Sequence, residues 1–183
     1  MSRIYTKAGD DGSTGLFLGG RVSKADVLVD ACGDIDEAVA QLGVARAGCP
    51  DPRLASIIFA LQRELFVAAA DLATNPEHRG RLTPGVSLVT SEMVDALEGL
   101  IDDLVTERPL RPVFIVPGAT PTSAAIDHAR TVVRRAERHV VRALGEGHTV
   151  SPVVLAYLNR LSDLAFVLAR HAAGDQEEEP SHD

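Results

Sequence analysis

The stretch Asp51-Pro52-Arg53-Leu54-Ala55-Ser56-Ile57-Ile58-Phe59-Ala60-Leu61-Gln62-Arg63-Glu64-Leu65-Phe66-Val67-Ala68-Ala69-Ala70-Asp71-Leu72 decides the fold. Leu54, Ile57, Ile58, Leu61, Leu65, Ala68, Ala69 and Leu72 form one stripe at helical spacing, Asp51-Pro52 opens it, and Asn75-Pro76 lies beyond its end. A stripe of this length needs other helices to cover it, and the chain supplies four. Upstream, Leu28, Ala31, Ile35, Ala38, Val39 and Leu42 predict a helix from about Asp26 to Ala47, weakened by Gly33. Downstream, Thr90 is placed to cap a third helix ending near Thr106. A fourth runs to about Leu144, where Gly145 and Gly147 break it, and Ser151-Pro152 starts a fifth over Val153 to Ala172. The expected fold is all-α, a five-helix bundle with an extended N-terminal glycine-rich loop.

The connections carry their own signals. Residues 74–88 hold Pro76, Gly80, Pro84 and Gly85 and read as a long loop of the kind that invites a functional explanation. Pro109 to Pro121 holds four prolines around Val113-Phe114-Ile115-Val116, which predicts an extended, partly buried segment. The organisation expected is one domain over residues 1–173, with residues 1–25 as a ligand-binding loop and 174–183 as a disordered acidic tail. No internal repeat is present.

Composition narrows the function classes. Net charge is −8 and aromatic content 4% with no Trp, so the field repels nucleic acid and few rings are there to stack on bases. The start Met1-Ser2-Arg3-Ile4-Tyr5 lacks the apolar run of a signal peptide, the C-terminus shows no lipidation box, and no run of 18 apolar residues occurs. Cys32 and Cys49 have no framework spacing and read as small buried thiols of a reducing compartment. A cytoplasmic protein without membrane or nucleic-acid partners is the expectation. No expected helix carries the Glu-x-x-His pair of a di-iron bundle, and no His-x-x-x-His pair, nucleophile elbow or Walker loop is found, so no metal site of protein side chains is expected.

Two cationic elements stand out of this acidic background. Lys7 and Lys24, the sole lysines beside sixteen arginines, bracket Gly9-Asp10-Asp11-Gly12-Ser13-Thr14-Gly15 and Gly19-Gly20, a compact ammonium pair beside a backbone suited to polyphosphate. The other reading of that segment is a mobile arm. Arg130, Arg134, Arg135, Arg138 and Arg142 crowd the fourth helix, and each like-charged i, i+4 pair costs about 0.2–0.5 kcal/mol unless an anion or carboxylate intervenes. A solvated face with intersubunit salt bridges is the alternative there. One polyanion such as ATP held between both elements explains them together.

These residues carry a resemblance. Tyr5 to Thr14, Arg21 with Lys24, Gly33-Asp34-Ile35-Asp36-Glu37, Phe114-Ile115-Val116-Pro117-Gly118, Ala129-Arg130-Thr131-Val132-Val133-Arg134-Arg135-Ala136-Glu137-Arg138 and Tyr157-Leu158-Asn159-Arg160-Leu161-Ser162-Asp163 resemble, in order, the signatures of the PduO-type cob(I)alamin adenosyltransferases. The resemblance implies transfer of the 5′-deoxyadenosyl group of ATP to cob(I)alamin, in a trimer of five-helix bundles whose substrates meet at subunit interfaces. It implies that Thr6, Lys7, Ala8, Gly9, Asp10, Asp11, Gly12, Ser13, Thr14, Gly15 and Lys24 wrap the triphosphate. Arg134, Arg135, Ala136, Glu137 and Arg138 complete the nucleotide site, Asn159 holds the nucleoside, and Asp36 and Arg130 pair between subunits. Arg134 and Phe114 are the implied catalytic pair, with Phe114 beneath the corrin; Mg²⁺ comes bound through the nucleotide, and the product passes to an adenosylcobalamin-dependent enzyme. Read from the residues alone, Phe114 is an ordinary core aromatic.

Three departures from the family pattern are Ala38-Val39-Ala40 for Leu-Asn-Ser, Ala119 for a second glycine, and Ile126-Asp127-His128 for Leu-His-Val. They gather on the corrinoid side, which implies an altered corrinoid preference. The competing class is a non-enzymatic, ATP-responsive carrier or sensor of adenosylcobalamin; a ligand-free structural trimer is a third.

Overall fold

Five helices form where the periodicity places them. The computed structural model describes residues 4–174, Gln176 and residues 179–182. Helix α1 spans Val27–Ala47, α2 Pro52–Leu72, α3 Ser91–Glu107, α4 Pro121–Gly145 and α5 Pro152–Ala173. The caps explain their bounds. Asp26 accepts from Leu28 N at 2.8 Å, Asp51 from Arg53 N at 2.7 Å, and Thr120 and Ser123 form a reciprocal capping box. Ser151 accepts from Val153 N at 3.3 Å. Thr90 departs from its expected role: it stands at the N-cap of α3 but its side chain caps nothing, because its hydroxyl is engaged by Glu92. Gly33 is tolerated inside α1, where it lies exposed with open space around it.

Neighbouring helices pack in the order α2, α1, α4, α5, α3, and α2 also touches α5. The core between them is aliphatic: Ile35 and Leu42 of α1, Ile58, Leu61 and Leu65 of α2, Val132 and Val140 of α4, and Leu158, Leu161, Leu164 and Leu168 of α5. Helix α5 is long and apolar enough to cross a membrane by length and composition, but that apolar surface is what the bundle buries. Within the core, Tyr157 is fully enclosed and donates to Glu64 Oε2 at 2.9 Å, so its hydroxyl is satisfied. Burial pushes the Cys32 thiol up to about 11, which disfavours the thiolate.

Three expectations need correction. The glycine-rich segment is not simply an extended loop, since Ser13–Gly15 (β1) and Arg21–Ser23 (β2) pair antiparallel in the register Ser13↔Ser23, Thr14↔Val22 and Gly15↔Arg21. Positive φ at Leu18, Gly19 and Gly20 makes the turn between them, and Phe17 N donates to Ala73 O at 2.8 Å to dock it on the end of α2. The long loop after α2 holds a 3-10 turn at Pro76–Arg81 and is anchored by the buried Asp71, which accepts from Arg79 Nη2 at 2.5 Å and Val89 N at 3.0 Å. The segment around Phe114 is extended but exposed, with Ile115 alone of residues 113–116 half-buried.

That exposed segment meets part of the chain's C-terminal stretch. Its free backbone edge takes up the described tail residues: Val116 N donates to Glu179 O and Ser181 N to Phe114 O, each at 2.8 Å, with Ile115 bridged antiparallel to Pro180. Residues 175, 177, 178 and 183 lie outside the described residues.

Candidate functional site

The glycine segment is shaped by its own cations. Lys24 Nζ donates to Gly9 O at 2.8 Å and its backbone N–H to Gly12 O at 2.9 Å, curling residues 9–12 around the ammonium. A Cβ at Gly9 would stand 3.1 Å from Ser13 O and 3.2 Å from Lys24 Nζ, a tight fit, and Gly12 has a φ of 82°, which favours glycine there. Arg21 donates from Nε to Ser13 Oγ at 2.9 Å and from Nη2 to Ala8 O, closing the curl from the other side. Ser13 donates from N and Oγ to Asp11 Oδ1 at 2.9 and 2.7 Å; these bonds, with Arg21 nearby, hold the Asp11 carboxyl below the ordinary range. Thr6 Oγ1 accepts from Ala8 N at 3.3 Å, and Lys7, at a φ of 62°, carries an exposed side chain. Thr14 and Gly15 lie in β1 over a cavity of about 220 Å³ lined also by Val22, Asp26, Cys32 and His148.

The arginines of α4 divide into two groups. Arg135 donates from Nε to Asp34 Oδ1 at 2.7 Å and from Nη2 to Glu37, His139 Nδ1 stands 2.8 Å from Asp34 Oδ2, and Arg142 pairs with Glu146 Oε1 at 2.7 Å. Arg130 Nε donates to Asp127 Oδ1 at 3.0 Å. These carboxylates relieve much of the like-charge crowding. Arg134 and Arg138 have no carboxylate partner among the described residues; Arg138 Nη1 donates to Arg134 O at 3.1 Å, and both side chains are exposed. Between them on the helix, Ala136 is buried and Glu137 accepts from Asn159 Nδ2 of α5 at 3.0 Å.

Arg134 lines a groove of about 320 Å³ with Arg130, Leu110, Asp163 and Phe166. That groove shares no lining residue with the cavity under the hairpin. Asp36 is exposed, and no ion pair joins it to Arg130 within the chain. Phe114 is 84% exposed, so it is not the core aromatic that its apolar neighbours suggest. It borders a recess with Val113, Pro180, Ser181 and His182.

Of the expected site residues, the fold brings Arg134, Glu137, Arg138 and Asn159 together where the middle of α4 packs on α5, and gathers residues 6–15 with Lys24 in another place. It commits Arg135 to α1. Sequence alone assigns no role to Arg21, which closes on Ser13 across the hairpin, nor to Asp34, Asp127 and Arg170, whose contacts lie between helices. Among the described residues no group of three or more His, Cys, Asp or Glu side chains is placed to hold a metal ion.

Fold and site define a helical-bundle protein with two separate cationic elements and an exposed aromatic. A sequence model of the family described as "Cobalamin adenosyltransferase" matches residues 4–172. The chain is 44% identical over 183 residues to the corrinoid adenosyltransferase of Mycobacterium tuberculosis strain H37Rv, covering 96% of this chain and 91% of the relative. It is 37% identical to the corrinoid adenosyltransferase PduO of Salmonella typhimurium, over 94% of this chain and 50% of that one. Among solved structures, a phenylalanine-to-alanine variant of the PduO-type ATP:corrinoid adenosyltransferase from Lactobacillus reuteri, complexed with cobalamin and ATP, superposes with a TM-score of 0.88 at 31% identity, covering 99% of this chain and 100% of that one. An arginine-to-lysine variant complexed with ATP gives 0.85 at 32%, covering 97% of this chain and 99% of that one. The chain belongs to the cobalamin adenosyltransferase family.

Proposed function

We propose that this protein is an ATP:corrinoid adenosyltransferase that moves the 5′-deoxyadenosyl group of ATP to cob(I)alamin, giving adenosylcobalamin and triphosphate. The electron pair of Co(I) forms the bond to C5′, the C5′–O bond breaks, and triphosphate leaves with that bond's electrons. No protein base is needed, because the nucleophile arrives with the substrate. The protein's work is to aim C5′ at cobalt and to stabilise charge as it gathers on the leaving triphosphate.

One observation carries this reading to the chain's own residues. Among the described residues Arg134 and Arg138 keep their guanidiniums clear of carboxylates, while on the same helix Arg130 and Arg142 each pair with one carboxylate and Arg135 with two. Two uncompensated cations held one turn apart suit a polyanion, and the adjacent Glu137–Asn159 pair offers polar groups for the nucleoside. The curled segment from Thr6 to Gly15, tightened by Lys24 and Arg21, supplies N–H groups for the phosphates, with Mg²⁺ entering on the nucleotide. Arg135 serves the site indirectly by fixing α4 against Asp34 and Glu37.

The two anion-seeking elements line different recesses of one chain, so the complete site forms between copies, with the glycine segment of one facing α4 of the next. A homotrimer, with Asp36 of each copy paired to Arg130 of its neighbour, fulfils that need. Phe114 packs beneath the corrin and excludes a lower axial ligand, which eases reduction to Co(I). The setting is cytoplasmic, and the product goes to an adenosylcobalamin-dependent enzyme.

The test is incubation with ATP and chemically reduced cobalamin, following adenosylcobalamin by absorbance and the phosphate product by chromatography. Equimolar adenosylcobalamin and triphosphate is the expected result. Binding of both ligands without product would leave a carrier or sensor.

A further inference from the structure

Asp71, at the C-terminal end of α2, is fully buried and takes no part in the mechanism above, yet both of its oxygens are committed. Oδ1 accepts from Arg79 Nη2 at 2.5 Å and Oδ2 from Val89 N at 3.0 Å, while Arg79 Nη1 donates to the backbone oxygen of Asp71 at 3.0 Å. A guanidinium that grips the side chain and the carbonyl of one residue fixes the 3-10 turn Pro76–Arg81 against the end of α2.

Asn75, the N-cap of that turn, passes the order on. Its Oδ1 accepts from Glu77 N at 3.0 Å and its Nδ2 donates to Gly19 O at 3.1 Å, so one amide holds the 3-10 turn with its oxygen and the turn of the β1–β2 hairpin with its nitrogen. Backbone bonds flank it: Asn75 N donates to Phe17 O at 3.1 Å, and Phe17 N to Ala73 O at 2.8 Å. The fit is close, since a Cβ on Gly20 would stand 2.9 Å from Asn75 Nδ2. Packing does less for the hairpin. Gly15, Leu16 and Val22 border the cavity of about 220 Å³ that Leu28 and Leu72 also line, so part of the hairpin rests on a void and not on a filled core.

The other end of the hairpin leads into the glycine segment. Ser13 pairs with Ser23 there, Arg21 Nε donates to Ser13 Oγ at 2.9 Å, and Lys24 Nζ donates to Gly9 O at 2.8 Å. A ribbon of two three-residue strands is marginal alone, so its placement, and with it that of residues 9–12, comes from what clamps its turn.

Resting on the adenosyltransferase reading, we infer that Asn75, seated by Asp71 through Arg79, is a positioning residue for ATP: it holds the hairpin turn so that the glycine segment is presented to the triphosphate in one arrangement. Asn75 sits at the opposite end of the hairpin from Gly9 and Gly12 and acts through the strands. Loosening its tie lets the segment sample orientations that must be given up on binding, which weakens ATP binding and leaves the corrinoid contacts and the chemistry of the bound complex as they were.

The experiment centres on Asn75→Ser, whose hydroxyl still caps the 3-10 turn but which carries no amide to reach Gly19. Wild type and variant are compared in ATP affinity by calorimetry, in both KM values and in backbone hydrogen exchange. The inference predicts an ATP Kd and an ATP KM raised about threefold to tenfold, the scale of one hydrogen bond, with kcat and the corrinoid KM within about twofold. The Leu16, Phe17 and Gly19 amides should exchange faster while those of α2 keep their protection. Asp71→Asn should shift the same quantities in the same direction, and if either variant fails to fold the other decides. Unchanged ATP Kd and KM in a folded variant overturn the inference whatever the exchange rates, and so does an equal rise of both KM values, the mark of general loosening. Wild type that binds ATP and makes no adenosylcobalamin would instead overturn the adenosyltransferase reading.

Discussion

Asn159 of α5 donates from Nδ2 to Oε1 of Glu137 on α4 at 3.0 Å, joining across two helices the residues that stand nearest the uncompensated Arg134 and Arg138. The bond fixes where the half-buried carboxylate points, which suits it to the recognition role proposed for it. Replacing Asn159 by Ala removes both the amide and the orientation of Glu137. A hydrogen bond involving a charged group is worth roughly 1.5–3 kcal/mol, so the KM for ATP should rise about tenfold to a hundredfold. Steady-state kinetics at saturating cob(I)alamin checks this, and the corrinoid KM should hardly move.

Arg134 is assigned to the leaving triphosphate, where charge grows as the C5′–O bond breaks. Groups aimed at developing charge act on the transition state more than on bound substrate. Arg134→Met should therefore lower kcat by about a hundredfold to a thousandfold, the scale seen for loss of a preorganised donor, with a much smaller change in the KM for ATP. A single-turnover absorbance assay separates this from slower product release.

Phe114 has little to do with the stability of the isolated chain. A core Phe→Ala costs about 3–5 kcal/mol. Phe114 is 84% exposed, so Phe114→Ala should leave the melting temperature within about 1 °C of wild type while activity falls. Differential scanning calorimetry beside the adenosylation assay distinguishes the two, and a large drop in melting temperature would mean that the ring packs in the bundle.

How much of this was legible in the sequence depended on the range of the contacts involved. The stripe of α2 and the Asp51 and Ser151 caps are local, so those helix ends fall where dihedral preference and capping put them. Phe114 was misread from composition because an apolar run has no inherent partner: prolines keep it extended, and no helix lies over it. The hairpin at Ser13–Ser23 was missed since its glycines advertise turns more loudly than its three-residue strands advertise pairing. Asp34, Asp127 and Arg170 could not be read at all, because their chemistry arises from helices that meet only in the fold.

Glu64 gives a pH signature. Burial raises its carboxyl above the ordinary Glu value, against the opposing effect of the Tyr157 hydroxyl, so the folded state binds this proton more tightly than the unfolded chain does. The sign follows: its contribution to stability is greatest below the unfolded-state value near 4.5 and is lost as pH rises through the higher folded value. Exposed carboxylates such as Glu107, held low chiefly by its hydrogen bond from Arg53, titrate in the opposite sense. The difference between wild type and Glu64→Gln isolates the effect. Thermal melts from pH 4 upward should show wild type losing stability relative to Glu64→Gln through mildly acidic pH, and then a constant gap.

The account stands on a nucleotide gripped by the glycine segment of one copy and by α4 of another, and subunit complementation tests that directly. Lys24→Ala and Arg134→Met, each expected to be nearly inactive alone, are co-expressed and purified together. In randomly mixed rings about a quarter of the interfaces pair an intact glycine segment with an intact α4, so activity should return to about a quarter of wild type. A mixed assembly that remains as inactive as its parents would contradict a site shared between copies.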